Sequence, residues 1–283
     1  MNFFQILILA VIQGVCELLP VSSSAHVIAA QKLMGLDPSA PESTMLLIML
    51  HTGTMFAVIV YFWKGWKRDF FGSAGQAKWF GMQVVVATFC TGVVFIILQE
   101  FIKKVLMKGH PSAEIEDLFN NLPLIAGALA LVGILIIIAG FREGTVPGNP
   151  EIGPKQAAGI GLVQGFCIPF RGFSRSGATI STGLLMGLPK KKLEEFSFAL
   201  AVVLTPAAIA KEALRLIKAH ALNGPDMANL FVPGAVGMVL SFCAGLVALK
   251  LLSRVLEGGQ WKFFGFYCLA AAAGVMAIHH YKP

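Results

Sequence analysis

Charged residues are scarce in this chain. Asp, Glu, Lys and Arg together make up 13% of its 283 residues, whereas hydrophobic residues make up 56% and the mean hydropathy is +0.75. Soluble domains carry about 25% charged residues, and a soluble fold could not cover this much apolar surface. The composition therefore excludes an ordinary soluble protein and indicates an integral membrane protein.

Other absences narrow the functional classes further. The five cysteines lie in apolar segments without a C-x-x-C pair, which argues against disulfides and thiolate metal sites. There is no basic tail, and the net charge of +7 comes mainly from short segments between apolar runs, so it indicates membrane topology and no nucleic-acid partner. No basic residue precedes Lys32, so residues 2–12 are a poor signal peptide that we expect to remain on the chain.

Long hydrophobic runs are what the sequence has in abundance. A helix needs about 20 apolar residues to cross a bilayer, and we predict an all-α polytopic protein with six such helices. The predicted spans are Met45–Trp63, Trp79–Gln99, Leu122–Phe141, Asn229–Leu249, Trp261–Tyr281 and a shorter run, Phe196–Ala210, that we expect to continue through Leu216.

The chain also contains an internal repeat. The tetrapeptide QGVC at 13–16 recurs as QGFC at 164–167, and the same offset places Ser23 on Ser174. Each half has two short apolar segments around a polar elbow, followed by three long runs. An odd number of spans reverses the second half, so we predict two inverted-topology repeats, each a re-entrant helical hairpin plus three transmembrane helices. The predicted bounds are 1–141 and 157–283, joined by a linker at 142–156 in a single membrane domain, 1–283.

The first elbow reads ELLPVSSSAH, from Glu17 to His26. Gln13 and Glu17 are four residues apart and share one helix face, and Pro20 ends that helix. We expect Ser22, Ser23 or Ser24 to cap the next helix. If Ser23 is the cap, His26 lies in the first turn, at a helix N-terminus that can bind an anion.

The second elbow reads FRGFSRSGAT, from residue 170 to 179. Gly172 permits a tight turn, Ser174 can cap the following helix, and Arg175 and Ser176 then fall in its first turn. An arginine at the bilayer centre costs about 2.5–3.5 kcal/mol, so Arg175 requires a wet cavity or an anionic partner. Its guanidinium suits phosphate oxygens.

Less specific interpretations remain open at this point. A serine in a membrane segment is ordinarily a capping or packing residue, Glu17 could pair with a loop lysine, and His51 is expected to be a packing residue. A secondary transporter or lipid flippase would also have inverted repeats and broken helices, whereas a purely structural membrane protein would not need the two polar elbows. Lysines and arginines are more numerous on the side opposite the termini, which favours termini outside.

Both elbows resemble signatures of the undecaprenyl-diphosphate phosphatase family of the bacitracin-resistance type. QGVCELLPVSSSAH resembles its E/Q-x-x-x-E and L-P-V-S-S-S/T-G-H signature, RGFSRSGATI resembles P-G-x-S-R-S-G-A-T, and EFSFALAV at 195–202 resembles the stretch that follows. The resemblance extends along the whole chain. It departs at Gln13, the neutral option, at Ala25 in place of glycine, and at Arg171 in place of proline.

The resemblance implies a bacterial inner-membrane enzyme with its site facing the periplasm. Such an enzyme hydrolyses the C55 isoprenyl diphosphate to the monophosphate that carries envelope precursors, in the presence of Mg²⁺ or Ca²⁺, among membrane lipids and without nucleic acid; the resemblance leaves homo-oligomerisation open. It implies the following residue roles. Glu17, Ser23, His26 and Arg175 are catalytic; Ser22, Ser24, Ser174, Arg175, Ser176 and Thr179 bind the diphosphate; and Glu17 with Gln13 holds the metal. Arg171 is either a second phosphate contact or a headgroup anchor.

Overall fold

The computed structural model describes residues 1–38, 40–105, 121–143, 151–221, 227–256 and 261–281. This part of the chain is helical and contains no strand. Residues 144–150 of the predicted linker lie outside it. The helices are α1 (Phe3–Cys16), α2 (Ser23–Leu33), α3 (Pro41–Asp69), α4 (Ala74–Val105), α5 (Leu122–Arg142), α6 (Pro154–Cys167), α7 (Arg175–Leu185), α8 (Lys190–Ala221), α9 (Met227–Leu256) and α10 (Trp261–Tyr281).

Six of these described helices are long and apolar enough to cross a membrane, which confirms the predicted number of spans. They are Glu42–Asp69, Ala74–Val105, Leu122–Arg142, Lys190–Lys211, Phe231–Lys250 and Trp261–Tyr281. Most extend beyond the apolar runs because flanking polar residues continue the helix. For example, α8 begins at Lys190 and not at Phe196, since Lys, Leu and Glu are all good helix formers.

Four short helices lie at the predicted hairpins. The segments expected to form them were Phe3–Leu19 with Ser24–Leu33, and Ala157–Pro169 with Ser176–Leu188. The observed helices α1 and α6 have 14 residues each, and α2 and α7 have 11. At 1.5 Å per residue they are about 16–21 Å long, too short for a hydrocarbon core of about 30 Å.

Small residues allow the helices to approach closely. A side chain at Gly14 in α1 would meet Ala244 Cβ of α9 at 2.6 Å, and one at Gly165 in α6 would meet the Thr91 carbonyl oxygen of α4 at 2.6 Å. Helix association in membranes depends on such packing because lipid is as apolar as the side chains. The first short helix of each half, α1 or α6, therefore packs against a long helix of the other half.

The two elbows contact each other. Ser176 Oγ donates to the Leu19 carbonyl at 3.3 Å, although the two residues are 157 apart in the sequence. A side chain at Gly177 would approach the Pro20 carbonyl oxygen to 3.0 Å and Ile136 Cδ1 to 2.9 Å. The start of α7 thus lies directly against the middle of the segment that joins α1 to α2.

Candidate active site

The second elbow is shaped to present Arg175 at a helix N-terminus. Gly172 has a φ of +97°, and a Cβ there would lie 2.3 Å from the Ile125 carbonyl oxygen, so the turn requires glycine. Ser174 is the N-cap of α7, and its Oγ accepts from the Gly177 backbone N–H at 3.2 Å. This confirms the predicted cap and places Arg175 and Ser176 in the first turn.

Arg175 joins the two halves of the chain through its guanidinium. Nη1 donates to the Ser197 carbonyl of α8 at 3.0 Å, and Nη2 donates to Glu17 Oε1 of the first elbow at 3.4 Å. The side chains are 22% and 20% exposed, respectively, for Arg175 and Glu17. Each charge is thereby paired in a mostly buried environment, where an unpaired charge would be costly. Thr179 supports this arrangement, since its hydroxyl lies 2.7 Å from Ser197 Oγ and donates to the Arg175 carbonyl.

Glu17 is the centre of the first elbow. Its Oε2 accepts from Gln13 Nε2 at 3.0 Å and from the Ser23 hydroxyl, while its Oε1 faces Arg175. His51 Nε2, on α3, lies 3.7 Å from Oε2. The carboxylate thus has partners from four segments of the chain, which fixes its orientation.

The serines of the first elbow differ from expectation. Ser22 occupies the N-cap position of α2, but its side chain makes no capping hydrogen bond, and its φ of +65° is unusual for a residue with a side chain. Ser23 donates to Glu17, and Ser24 Oγ lies 3.4 Å from Ser22 Oγ. The prediction of a side-chain cap was therefore wrong here, because a capping residue typically has extended backbone angles, whereas Ser22 has a positive φ.

His26 does not contact Ser23 in this arrangement. Its Nδ1 lies 2.8 Å from the Ser22 carbonyl oxygen, and its Nε2 lies 2.9 Å from the Tyr267 hydroxyl of α10. Both ring nitrogens thus have partners other than the serine hydroxyl. The acceptor next to Ser23 is Glu17.

A small cavity adjoins the charged pair. It has a volume of about 20 Å³ and lies between α3 and α8, with Glu17, His51, Thr54, Thr205 and Arg175 among its polar lining residues. This space holds about one water molecule. A diphosphate would enter only if these side chains or helices moved apart.

Comparison with known proteins assigns the chain to a family. A family model described as bacitracin resistance protein BacA matches residues 6–274. The chain belongs to the BacA family. It is 55% identical, over 282 residues and 98% of each chain, to an Acinetobacter baylyi protein named undecaprenyl-diphosphatase 2. It is 30% identical over 283 residues, again 98% of each chain, to a Bacteroides fragilis undecaprenyl-diphosphatase. It is 33% identical over 287 residues to undecaprenyl-diphosphatase 1 of Burkholderia pseudomallei, covering 96% of this chain and 95% of the relative.

In this BacA family member the predicted site residues form three groups. Gln13, Glu17, Ser23 and Arg175 are joined by direct hydrogen bonds, and Ser174, Ser176 and Thr179 surround the start of α7. Ser22, Ser24 and His26 lie at the start of α2, where His26 bonds to Tyr267 of α10.

His51 is the residue that sequence reasoning undervalued. We expected a packing residue, and its Nδ1 does bond to the Leu47 carbonyl at 2.8 Å within α3. Its other nitrogen, however, faces Glu17, and the side chain lines the cavity. The available signal was its position: an ionisable residue within a membrane span is a functional candidate by default.

The donors around Glu17 bear on the expected metal. Among the described residues, no group of three or more His, Cys, Asp or Glu side chains could enclose a metal ion. Gln13 is fully buried, and its Oε1 has no hydrogen-bond partner. One carboxylate and one amide oxygen fit Mg²⁺, which usually binds one or two carboxylates together with waters and substrate phosphates.

Proposed function

We propose that this protein hydrolyses undecaprenyl diphosphate to undecaprenyl phosphate and inorganic phosphate. The reaction returns the lipid carrier to cell-envelope polymer synthesis and thereby confers bacitracin resistance. The observation that carries the proposal is the contact between Arg175 and Glu17 at 3.4 Å. It joins a phosphate-binding cation to a carboxylate within the membrane domain of a BacA family chain whose relatives are named for this activity.

The diphosphate binds at the start of α7 in this proposal. Arg175 supplies a bidentate donor, and the N-terminal end of α7 supplies backbone N–H groups and a positive dipole end. Ser174, Ser176 and Thr179 hold these groups in place, while Ser22 and Ser24 supply hydroxyls from the facing elbow. When the substrate enters, its phosphate oxygens replace Glu17 as partners of the guanidinium. Fixed donors of this kind stabilise the charge that develops on the transferring phosphoryl group.

Two routes are compatible with this geometry. In the first, Ser23 and Glu17 form the reacting pair, because the Ser23 hydroxyl donates to the Glu17 carboxylate. The Ser23 oxygen attacks the terminal phosphorus, its proton passes to Glu17, and the bond to the bridging oxygen breaks to release undecaprenyl phosphate. Water then cleaves the phosphoserine to inorganic phosphate. In the second route a water molecule attacks directly, and Ser23 only orients Glu17 as the base. In both routes His26, at the start of α2, is protonated on both ring nitrogens when it acts and donates its Nε2 proton to the leaving oxygen.

A divalent cation fits beside this pair. Glu17 and Gln13 Oε1 would hold Mg²⁺ or Ca²⁺, and the ion would offset the charge of the diphosphate oxygens. Gln13 contributes no charge, so Glu17 supplies the anionic ligand from the protein.

The inverted repeat is proposed on the pattern of helix contacts. Let each helix of α1–α5 correspond to its counterpart in α6–α10. The packing of α1 on α9 then corresponds to that of α6 on α4, and α2 on α10 to α7 on α5. Gly14 and Gly165, equivalent in the two tetrapeptides, make equivalent close approaches. These correspondences support two hairpins entering from opposite faces and meeting at the site.

The location of the protein follows from the same proposal. The end of α3 meets the start of α8, since Trp66 Nε1 donates to the Glu195 carbonyl at 3.1 Å. Lys64, Lys67 and Arg68 near the end of α3 therefore lie on the same side as Lys190–Lys192 at the start of α8. The positive-inside rule places this side in the cytoplasm. The first elbow, which enters from the other side, would then face the periplasm of a bacterial inner membrane.

Phosphate release by the purified protein in detergent tests the proposal. An isoprenyl diphosphate with added Mg²⁺ or Ca²⁺ should yield inorganic phosphate, and chelation should stop the reaction. If purified protein releases no phosphate but moves the intact lipid across sealed vesicles, it is a flippase and the proposal is wrong. Rapid quench during turnover separates the two routes, because only the first forms a phosphoserine.

A further inference from the structure

The first elbow has a second set of contacts that the proposed reaction does not use. The residues that make these contacts lie on α10, more than 240 residues after the elbow in the sequence. The Tyr267 hydroxyl is 2.9 Å from His26 Nε2, and the two rings are nearly parallel, with a 10° angle and centroids 5.6 Å apart. The next residue, Cys268, donates its thiol to the Pro20 carbonyl at 3.6 Å. Two consecutive residues of α10 thus hold the elbow on either side of its serines.

The hydrogen bonds of His26 determine its tautomer. Nδ1 lies 2.8 Å from the Ser22 carbonyl oxygen, which can only accept, so Nδ1 carries a proton. In the neutral ring Nε2 then has the lone pair, and the Tyr267 hydroxyl is its donor. The assignment depends on the heavy atoms alone, because a backbone carbonyl has no proton to give.

The support for Tyr267 is rigid, whereas the segment before His26 is strained. In α10, a side chain at Gly265 would lie 2.5 Å from the Gly133 carbonyl oxygen, and one at Gly133 would lie 2.9 Å from the Gly265 carbonyl oxygen. This close crossing fixes the position of α10 on α5 just before Tyr267. Ser22, by contrast, has a φ of +65°, and such a backbone conformation persists only when its surroundings hold it.

We propose that Tyr267 is a positioning residue that orients the imidazole of His26 for the phosphatase reaction. Its hydroxyl donates a hydrogen bond to Nε2, while Nδ1 donates to the Ser22 carbonyl. Together these two bonds select the neutral tautomer in which Nε2 is the reactive nitrogen. A tyrosine hydroxyl both donates and accepts. When His26 takes up a proton on Nε2, the Tyr267 hydroxyl rotates and accepts it in a hydrogen bond, so the ring keeps its orientation in both protonation states. This inference rests on the proposed function.

Tyr267→Phe is the direct test, because it removes only the hydroxyl. We expect kcat for phosphate release to fall by about five- to tenfold, the effect of one lost hydrogen bond, with KM and the melting temperature nearly unchanged. Tyr281→Phe is the matched control, since Tyr281 is 82% exposed and lies at the end of the same helix; its kcat should equal that of the unmodified protein. An unchanged kcat in Tyr267→Phe would overturn the proposal.

Nitrogen NMR provides a readout that does not depend on activity. In protein labelled with ¹⁵N at histidine, with the His26 signal identified by its loss in His26→Gln, the neutral ring should show a protonated Nδ1 and a hydrogen-bonded Nε2. Tyr267→Phe should move the Nε2 signal toward that of a nitrogen without a donor. A protonated Nε2 in the neutral ring, or a spectrum that Tyr267→Phe does not change, would refute the inference. Should the unmodified protein release no phosphate, the proposed function fails, and the NMR result still reports on the Tyr267–His26 contact.

Discussion

Replacing Arg175 by alanine removes two contacts of its guanidinium, one within the second half of the chain and one with the first half. Nη1 loses its bond to the Ser197 carbonyl, at 3.0 Å, and Nη2 loses its contact with Glu17, at 3.4 Å. In the proposed reaction it also removes the bidentate donor for the diphosphate. The substitution therefore tests the single contact on which the functional proposal depends.

The expected loss of activity is large and the expected loss of stability is small. Removing one preorganised donor of a transition-state oxyanion costs about 10²- to 10³-fold in kcat, so we expect at least that effect from Arg175→Ala. Breaking a fully buried ion pair costs about 3–5 kcal/mol. Glu17 keeps Gln13 and Ser23 as donors, and both side chains of the pair are about one-fifth exposed, so we expect a smaller loss of folding free energy.

The assay compares Arg175→Ala, Arg175→Lys and an arginine control outside the site. Lysine has one nitrogen and cannot bridge the Ser197 carbonyl and a second acceptor as guanidinium does, so Arg175→Lys should be intermediate, about 10- to 100-fold slower. Arg142→Ala, at the exposed end of α5, should retain nearly full activity. Each variant is checked for monodispersity in detergent. Phosphate release by Arg175→Ala within about fivefold of the unmodified protein would remove this residue from the mechanism.

Three further substitutions probe the remainder of the site. Glu17→Gln keeps an acceptor for Ser23 but loses the charge, so phosphate release should fall by about 100-fold or more; normal metal-dependent turnover would exclude Glu17 as base and ligand. His51→Ala removes the imidazole that faces Glu17 at 3.7 Å, and we expect kcat to fall by about tenfold. The control His279→Ala, near the end of α10, should leave kcat unchanged. Equal rates for the two variants would mean that His51 is only a packing residue. Gly177→Val forces apart the elbows, because its Cβ would lie 2.9 Å from Ile136 Cδ1 and 3.0 Å from the Pro20 carbonyl oxygen. We expect this substitution to destabilise the protein by about 1–3 kcal/mol and to lower activity. Gly92→Ala, whose Cβ would meet no atom within 4 Å, should do neither. Equal melting temperatures for the two variants would contradict the close contact of the elbows.

The local chemistry of each elbow was predictable to different degrees. The second elbow followed the usual pattern of a glycine turn, a serine cap and a first helical turn, and the structure has Ser174 at the expected position. The first elbow did not, because Ser23 bonds to Glu17 and Ser22 adopts a left-handed conformation. Capping preferences describe a helix end by itself, and they include neither the unusual backbone of Ser22 nor the carboxylate to which Ser23 donates.

His51 and Tyr267 show a different limit of sequence reasoning. Neither belongs to a motif, and each acts on the elbow through contacts that are distant in sequence: His51 faces Glu17 from α3, and Tyr267 bonds to His26 from α10. Helical periodicity gives the face of a helix on which a residue lies, but it does not identify the neighbour that this face meets.

The sequence by itself determined that the chain is helical, has six long helices apolar enough to cross a membrane and carries polar elbows in two similar halves. These properties follow from hydropathy, proline, glycine and serine placement, and a repeated tetrapeptide, all of which act over a few residues. Only the tertiary structure decided which polar side chains meet: Arg175 with Glu17, Ser23 with Glu17 and not with His26, and His26 with Tyr267. The physical reason is that close approach of helices at small residues sets these distances, and a shift of about one residue, 1.5 Å along a helix, is enough to exchange one hydrogen-bond partner for another.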